Sequence, residues 1–201
     1  MPGRCVLILG GARSGKSAMA QKMAGEAGQK VLFVATAQPL DEEMGARIQA
    51  HKENRPPQWR TLEAASGIGD EISRFLGDSQ VVIIDCVTVL VSNVMFGDEG
   101  VLTGTPGTAE DGAAEQRVTS EIEGIVRCMN EAEAQFIIVS NEVGMGLVPV
   151  HESDEGGQAG RMYRDLLGKA NQMLARRADE MYLMVAGIPW RIKGGSDGQD
   201  S

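Results

Sequence analysis

Short, wholly apolar runs alternate along the chain with longer segments whose apolar residues recur every three to four positions. Residues 6–9 (VLIL), 31–35 (VLFVA), 81–84 (VVII), 136–139 (FIIV) and 181–185 (MYLMV) carry almost no polar side chains. A strand apolar on both faces belongs inside a sheet covered on both sides, and strands separated by helix-length segments pair in parallel. Residues 58–61 and 190–193 read as minor strands, the second an antiparallel edge after Pro189. Helices are expected over 17–27, 40–52, 64–76, 87–96, 115–132 and 161–178. In the second of these, Asp41, Glu42 and Glu43 occupy the first turn, where carboxylates complement the positive end of the helix dipole. Its apolar stripe, Met44 and Ile48, leads one turn on to His51. Residues 97–114 and 151–160 lack periodicity and read as loops, the first long and mobile, and 194–201 as a disordered tail. The pattern predicts an α/β fold: one domain over 1–193, with a mostly parallel sheet and helices on both faces.

Composition narrows the function. The chain has 201 residues, 42% apolar and 23% charged, which suits one globular domain. Acidic residues outnumber basic ones, 28 to 19, for a net charge of −9. No broad basic surface is available for nucleic acid or anionic lipid, so an anionic ligand must be held locally. Two histidines exclude a three-histidine metal site. The widely spaced Cys5, Cys86 and Cys128 fit reduced thiols, and no stretch approaches the ~20 apolar residues of a membrane span. With no secretory pattern at the N-terminus, a cytoplasmic protein is expected.

The strongest chemical signal is Gly10, Gly11, Ala12, Arg13, Ser14, Gly15, Lys16 and Ser17, a full G-x-x-x-x-G-K-[ST] match between a strand and a helix. The glycines let the backbone wrap an anion, so that successive N–H groups and the positive helix end meet phosphate oxygens. Lys16 adds a point charge at the terminal phosphates, and the Ser17 hydroxyl is placed to ligate Mg²⁺. Asp85, directly after an apolar run, either faces that metal or caps the following helix. His51 is followed by Lys52 and Arg55. A neutral imidazole there could attack phosphorus while the cations neutralise developing charge; a structural histidine at a solvated helix end is the other reading.

Further motifs extend the pattern. Ala35-Thr36-Ala37 follows the second strand, and Asp41 to Met44, Ala46 to Ile48, His51-Lys52, Arg55-Pro56, Trp59 to Thr61 and Glu63 come next. Asn141 to Gly146 (NEVGMG), Val148-Pro149, Tyr163-Arg164-Asp165, Gly168, Asn171-Gln172, Ala178 to Glu180 and Gly187-Ile188 complete it. From about residue 5 to 193 the chain resembles the bifunctional adenosylcobinamide kinase / adenosylcobinamide-phosphate guanylyltransferase family of cobalamin biosynthesis.

The resemblance implies a RecA-like P-loop NTPase fold, a homotrimer, and two reactions that use ATP or GTP and Mg²⁺. A nucleoside triphosphate first phosphorylates adenosylcobinamide. A histidine then takes GMP from GTP and passes it to the substrate phosphate, giving adenosylcobinamide-GDP. The guanylylated histidine falls on His51. Nucleotide contacts fall on Gly10 to Ser17, on Ala35, Thr36 and Ala37, on Lys52, Glu53, Asn54 and Arg55, and on Glu63 and Asp85; Ser17 and Asp85 are the metal candidates. A small-molecule kinase without guanylyltransferase activity is the alternative, and a nucleotide-dependent switch a remoter one.

Three departures from the family pattern are visible. Ala50 stands where some members have a first of two histidines, and Asp85 often has Glu in its place. Residues 150–160 form an insertion in which His151 is expected to be a bystander. Asn141 and Glu142 follow a strand end, where a ligand role and a plain turn are equally good readings.

Overall fold

The computed structural model describes residues 3–28, 30–38, 45, 49, 52–53, 55–103, 111–146 and 155–195. The apolar runs become strands: β1 Cys5–Gly10, β2 Val31–Ala35, β3 Arg60–Glu63, β4 Val81–Asp85, β5 Gln135–Val139, β6 Glu180–Val185 and β7 Ile188–Lys193. The described helices are α1 Lys16–Ala27, α2 Ile68–Phe75, α3 Val87–Thr103, α4 Asp111–Glu131 and α5 Glu155–Arg177. The strands form one sheet in the order β3-β2-β4-β5-β1-β6-β7. All neighbours pair in parallel except β7, which runs antiparallel to β6. With a P-loop after β1 and helices on both faces, this is the RecA-like P-loop NTPase fold.

Alternate residues of each strand feed two cores. Leu7, Val82, Ile84, Phe136 and Ile138 pack with Ile72, Leu90, Ile122 and Leu174 of the helices α2 to α5. Val6, Ile8, Phe33, Ile83 and Ile137 face Trp59 and the small Ala20 and Ala24 of α1 on the other side. Burying each such large side chain contributes roughly 1.5–3 kcal/mol, which explains why strands covered on both faces carry no polar alternation. Cys5 and Cys128 are buried in the first core. No described helix is long and apolar enough to cross a membrane.

Several boundaries differ from the sequence expectation. The strand expected at 58–61 is Arg60–Glu63, because Trp59 turns into the core instead. The edge strand begins at Ile188, with Pro189 accommodated at the open edge, where its missing N–H costs no ladder bond. Within the loop expected at 97–114, the described residues 98–103 and 111–114 are helical. The first helix runs on to Thr103 past a break at Gly97 (φ 68°, ψ 178°), a left-handed conformation that favours glycine. α4 begins at Asp111, its first turns held by buried Ala114 and Val118, so tertiary burial overrides a weak local pattern. Likewise α5 starts at Glu155, inside the loop expected at 151–160. Of the helix expected over 40–52, only Gly45, Gln49 and Lys52 are described, all helical, as is Glu53 beyond it. The remainder of that helix, residues 147–154 and residues 196–201 lie outside the described residues.

Candidate nucleotide-binding and transfer site

The carboxyl ends of β1, β2, β4 and β5 meet on one edge, where open α/β sheets bind ligands. β1 ends at Gly10 (φ 154°), where an added Cβ would lie 2.6 Å from the Met184 carbonyl oxygen and 2.7 Å from Ser14 Oγ. Gly15 (φ 96°) then opens α1. Arg13, between them, is held left-handed at φ 56°, a strained conformation for a residue with a Cβ. Neighbouring strands fix the loop: Glu142 N–H donates to Gly10 O at 3.0 Å and Gly187 N–H to Ser14 O at 3.0 Å.

Lys16 is buried and donates its ammonium to Gly11 O at 2.6 Å. Burial pushes its pKa below the usual lysine value, opposed by nearby Cys86 and Asp85. The Ser14 hydroxyl is buried without a partner among the described residues. Gly11, Ala12 and Arg13 are exposed, and Ser17 is half-buried in the first turn of α1. The loop thus presents a cation and backbone donors at the rim of a low-dielectric interior, where such groups attract an anion more strongly than in water.

At the next strand ends, polar groups tie the elements together. Thr36 Oγ1 donates to Cys86 O and accepts from Cys86 N–H, both at 2.9 Å, and Asn93 Nδ2 donates to Thr36 O at 2.9 Å. The Thr36 side chain is therefore committed to joining β2 and β4. Ala35 is buried, and Ala37 is half-buried beyond it. Asp85 closes β4, in register with Ala35 on one side and Val139 on the other. Thr88 at the start of α3 accepts Asn141 N–H at 2.7 Å, and its carbonyl accepts the Tyr163 hydroxyl at 3.1 Å. Burial raises the Tyr163 pKa, so that hydroxyl remains a donor.

A second cationic cluster lies toward the β3 edge. Lys52 forms an ion pair with Glu63 at the end of β3. The Arg55 guanidinium sits 3.7 Å from the Phe33 ring centroid, and its Nε and Nη1 atoms are buried without partners among the described residues. Burial lowers the Arg55 pKa, with Asp85 and then Glu63 pulling it back up. Glu53 is exposed and accepts a 3.0 Å hydrogen bond from Gln49. His51 and Asn54 lie outside the described residues.

Four inter-strand steps separate β1 from β3, ~19 Å at about 4.8 Å each. The P-loop and the Lys52–Arg55–Glu63 cluster therefore stand toward opposite ends of one edge, with Asp85 between them. No group of three or more His, Cys, Asp or Glu side chains forms a metal cage among the described residues. Ser17 and Asp85 instead offer single hard oxygen donors, the kind Mg²⁺ takes while keeping waters and substrate phosphates.

Sequence reasoning missed the buried polar link through Asn93, Thr88 and Asn171. Its one legible trace is Asn171, polar on the apolar stripe of α5 between Leu167 and Leu174, and 7% exposed.

Comparison with known proteins shows the family. A family model described as cobinamide kinase / cobinamide phosphate guanyltransferase matches residues 6–192. The bifunctional adenosylcobalamin biosynthesis protein CobU of Escherichia coli is 40% identical over 188 residues, covering 94% of this chain and 99% of that protein. Its counterpart CobP of Pseudomonas aeruginosa is 36% identical over 188 residues, covering 94% and 96%. A solved structure from Pyrococcus horikoshii superposes with a TM-score of 0.56 at 8% identity, covering 97% of this chain and 88% of that one, a likeness of fold alone. With a family match running through nearly the whole chain, and relatives at this identity over almost their full length, the chain belongs to the cobinamide kinase / cobinamide phosphate guanyltransferase family.

Proposed function

We propose that the residues gathered on the carboxyl edge of the sheet carry out both family reactions on adenosylcobinamide. In the first, the substrate hydroxyl oxygen bonds to the γ-phosphorus of ATP or GTP, the bond to the β,γ-bridging oxygen breaks, and the nucleoside diphosphate leaves. Gly10 to Ser17 hold the phosphates through backbone donors, and Lys16 neutralises charge as it spreads over the transferred group. In the second, a ring nitrogen of His51 bonds to the α-phosphorus of GTP and pyrophosphate leaves. The phosphate of the first product then displaces the histidine, breaking the P–N bond to give adenosylcobinamide-GDP. One difficult displacement becomes two easier ones.

The observation that carries this reading is Arg55, a half-buried residue whose Nε and Nη1 are buried and unpartnered among the described residues. A buried cation is costly unless an anion meets it, and a nucleotide phosphate is the anion the family chemistry supplies. Lys52 and Glu63 flank it, and Ala35 to Ala37 line the strand end between it and Asp85. Glu53 and Asn54 lie in the same nucleotide-contacting segment. Ser17 and Asp85 would hold Mg²⁺, which would supply positive charge to offset that of the nucleotide phosphates. A homotrimer of single domains spanning 1–193, acting in the cytoplasm, completes the reading; the resemblance supports the trimer. The net charge of −9 argues against a nucleic-acid partner.

Intact-protein mass spectrometry after incubation with GTP and Mg²⁺ tests the proposal. A GMP adduct released at acid pH is expected, and its absence overturns the histidine step.

A further inference from the structure

Beyond the nucleotide edge, a cavity of about 410 Å³ opens between the segment after β5 and helix α5. Glu142, Arg164, Asp165, Asn171 and Gln172 are among its lining residues. Asn171 is 7% exposed, and its Oδ1 has no hydrogen-bond partner among the described residues; Arg164 Nη1 is likewise buried and unpartnered. Buried polar atoms are nearly always satisfied, so two orphans on residues that line one cavity mark a place where a polar ligand completes the bonding.

The cavity adjoins the P-loop through two hydrogen bonds. Asn171 Nδ2 donates to Asn141 O at 3.1 Å, and the next residue, Glu142, donates its N–H to Gly10 O at 3.0 Å. β5 is the immediate neighbour of β1, one step of about 4.8 Å. A larger cavity of about 720 Å³ lies among α2, α3 and α4, but its wall at Asn93 is bonded to Thr36, beyond β2, three strand steps from β1. A group held there stands ~14 Å from the P-loop strand, too far to receive its phosphate directly.

Chemistry identifies the occupant. Lys169 is paired with Glu115 at 2.7 Å, so Arg164 alone stands against Glu142 and Asp165 around the smaller cavity, and a nucleotide triphosphate would gain no net attraction there. Amide nitrogens and carbonyls, by contrast, use the donors and acceptors of Asn171, Gln172 and Arg164 together. The volume admits a side arm and excludes a macrocycle. We infer that this cavity binds an amide-bearing arm of the cobinamide substrate, with the corrin ring outside, and so brings the acceptor hydroxyl to the P-loop. The inference rests on the proposed function for the identity of the acceptor.

Equilibrium dialysis of adenosylcobinamide against wild-type protein and the Arg164→Gln, Gln172→Ala and Asp165→Asn variants tests it, with GMP self-labelling by GTP measured in parallel. Gln172 and Asp165 are exposed, so their substitution leaves folding intact. Loss of two hydrogen bonds predicts about tenfold weaker corrinoid binding in the variants, with self-labelling retained. Variants that bind the corrinoid as tightly as wild type, or that lose self-labelling instead, overturn the assignment. A wild-type protein that takes no GMP, while the variants still lose corrinoid, overturns the histidine step and supports the cavity. Wild-type protein that binds no corrinoid overturns both.

Discussion

The Arg55 guanidinium lies 3.7 Å from the centroid of Phe33, a residue 1% exposed on β2. The ring replaces hydration on one face of the cation, while Nε and Nη1 have no partner among the described residues. A cation held this way is aimed by packing and left with hydrogen-bonding capacity for a ligand.

Replacing Arg55 by Met should therefore separate stability from function. The loss of a cation–π contact and the relief of a buried charge oppose each other, so the nucleotide-free protein should shift by about 1 kcal/mol or less. Self-labelling by GTP should fall about a hundredfold, as when one transition-state donor is removed. Denaturant titration and labelling kinetics measure the two; a large stability loss with normal labelling would assign Arg55 to the core instead.

The two histidines make an internal comparison. His51→Ala should abolish the GMP adduct while leaving γ-phosphoryl transfer to adenosylcobinamide intact, and His151→Ala should leave both. Labelling that survives His51→Ala would sink the nucleophile assignment.

Lys16 sets a pH dependence whose sign follows from its lowered pKa. In the nucleotide-free fold its ammonium loses its proton at a lower pH than the usual 10.5. Between the two values the unfolded chain holds the extra proton, so Lys16's contribution to stability rises with pH across that window. Nucleotide affinity, which needs the ammonium, falls across the same window, and binding there should take up protons. Calorimetry in alkaline buffers of different ionisation enthalpy reads that uptake. Lys16→Ala should remove the uptake and slow both reactions by about a hundredfold; unchanged kinetics would refute its phosphate role.

Gly69 tests the packing of α2 on α4. A Cβ at this position would lie 2.3 Å from Gly124 O and 2.4 Å from Gly124 C, backbone atoms that cannot step aside. Gly69→Ala should cost about 1–3 kcal/mol or more, despite the better helix propensity of Ala. Thermal unfolding checks it, and an unchanged midpoint would show that the two helices separate freely.

The central strands were legible because burial on both faces writes an unbroken apolar run, visible in four or five adjacent residues. The P-loop was legible for a related reason: its eight residues are consecutive, so the whole motif is written locally. The helical stretches at 98–103 and 111–114 were not. Their Gly, Thr and acidic composition carries no period, and Ala114 becomes helical core only through elements distant in sequence. Still less visible were the bonds from Thr36 to Cys86, Asn93 to Thr36 and Asn141 to Thr88, whose partners stand 50, 57 and 53 positions apart. Spacing within a motif cannot report a partner that only strand order brings near.

By itself, then, the sequence determined the central strands, the P-loop motif and which family the chain resembles, since all three reside in short contiguous patterns. Tertiary structure decided the distances. The β3-β2-β4-β5-β1 order sets Glu63 on β3 ~19 Å from the P-loop strand, and Phe33 on β2, under Arg55, ~14 Å from it, with Asp85 on the strand between. It also opens a polar cavity beside β1, at β5. Local propensity shapes a loop or a strand, but the convergence of side chains from separate elements depends on how the sheet is ordered and which helix covers which face.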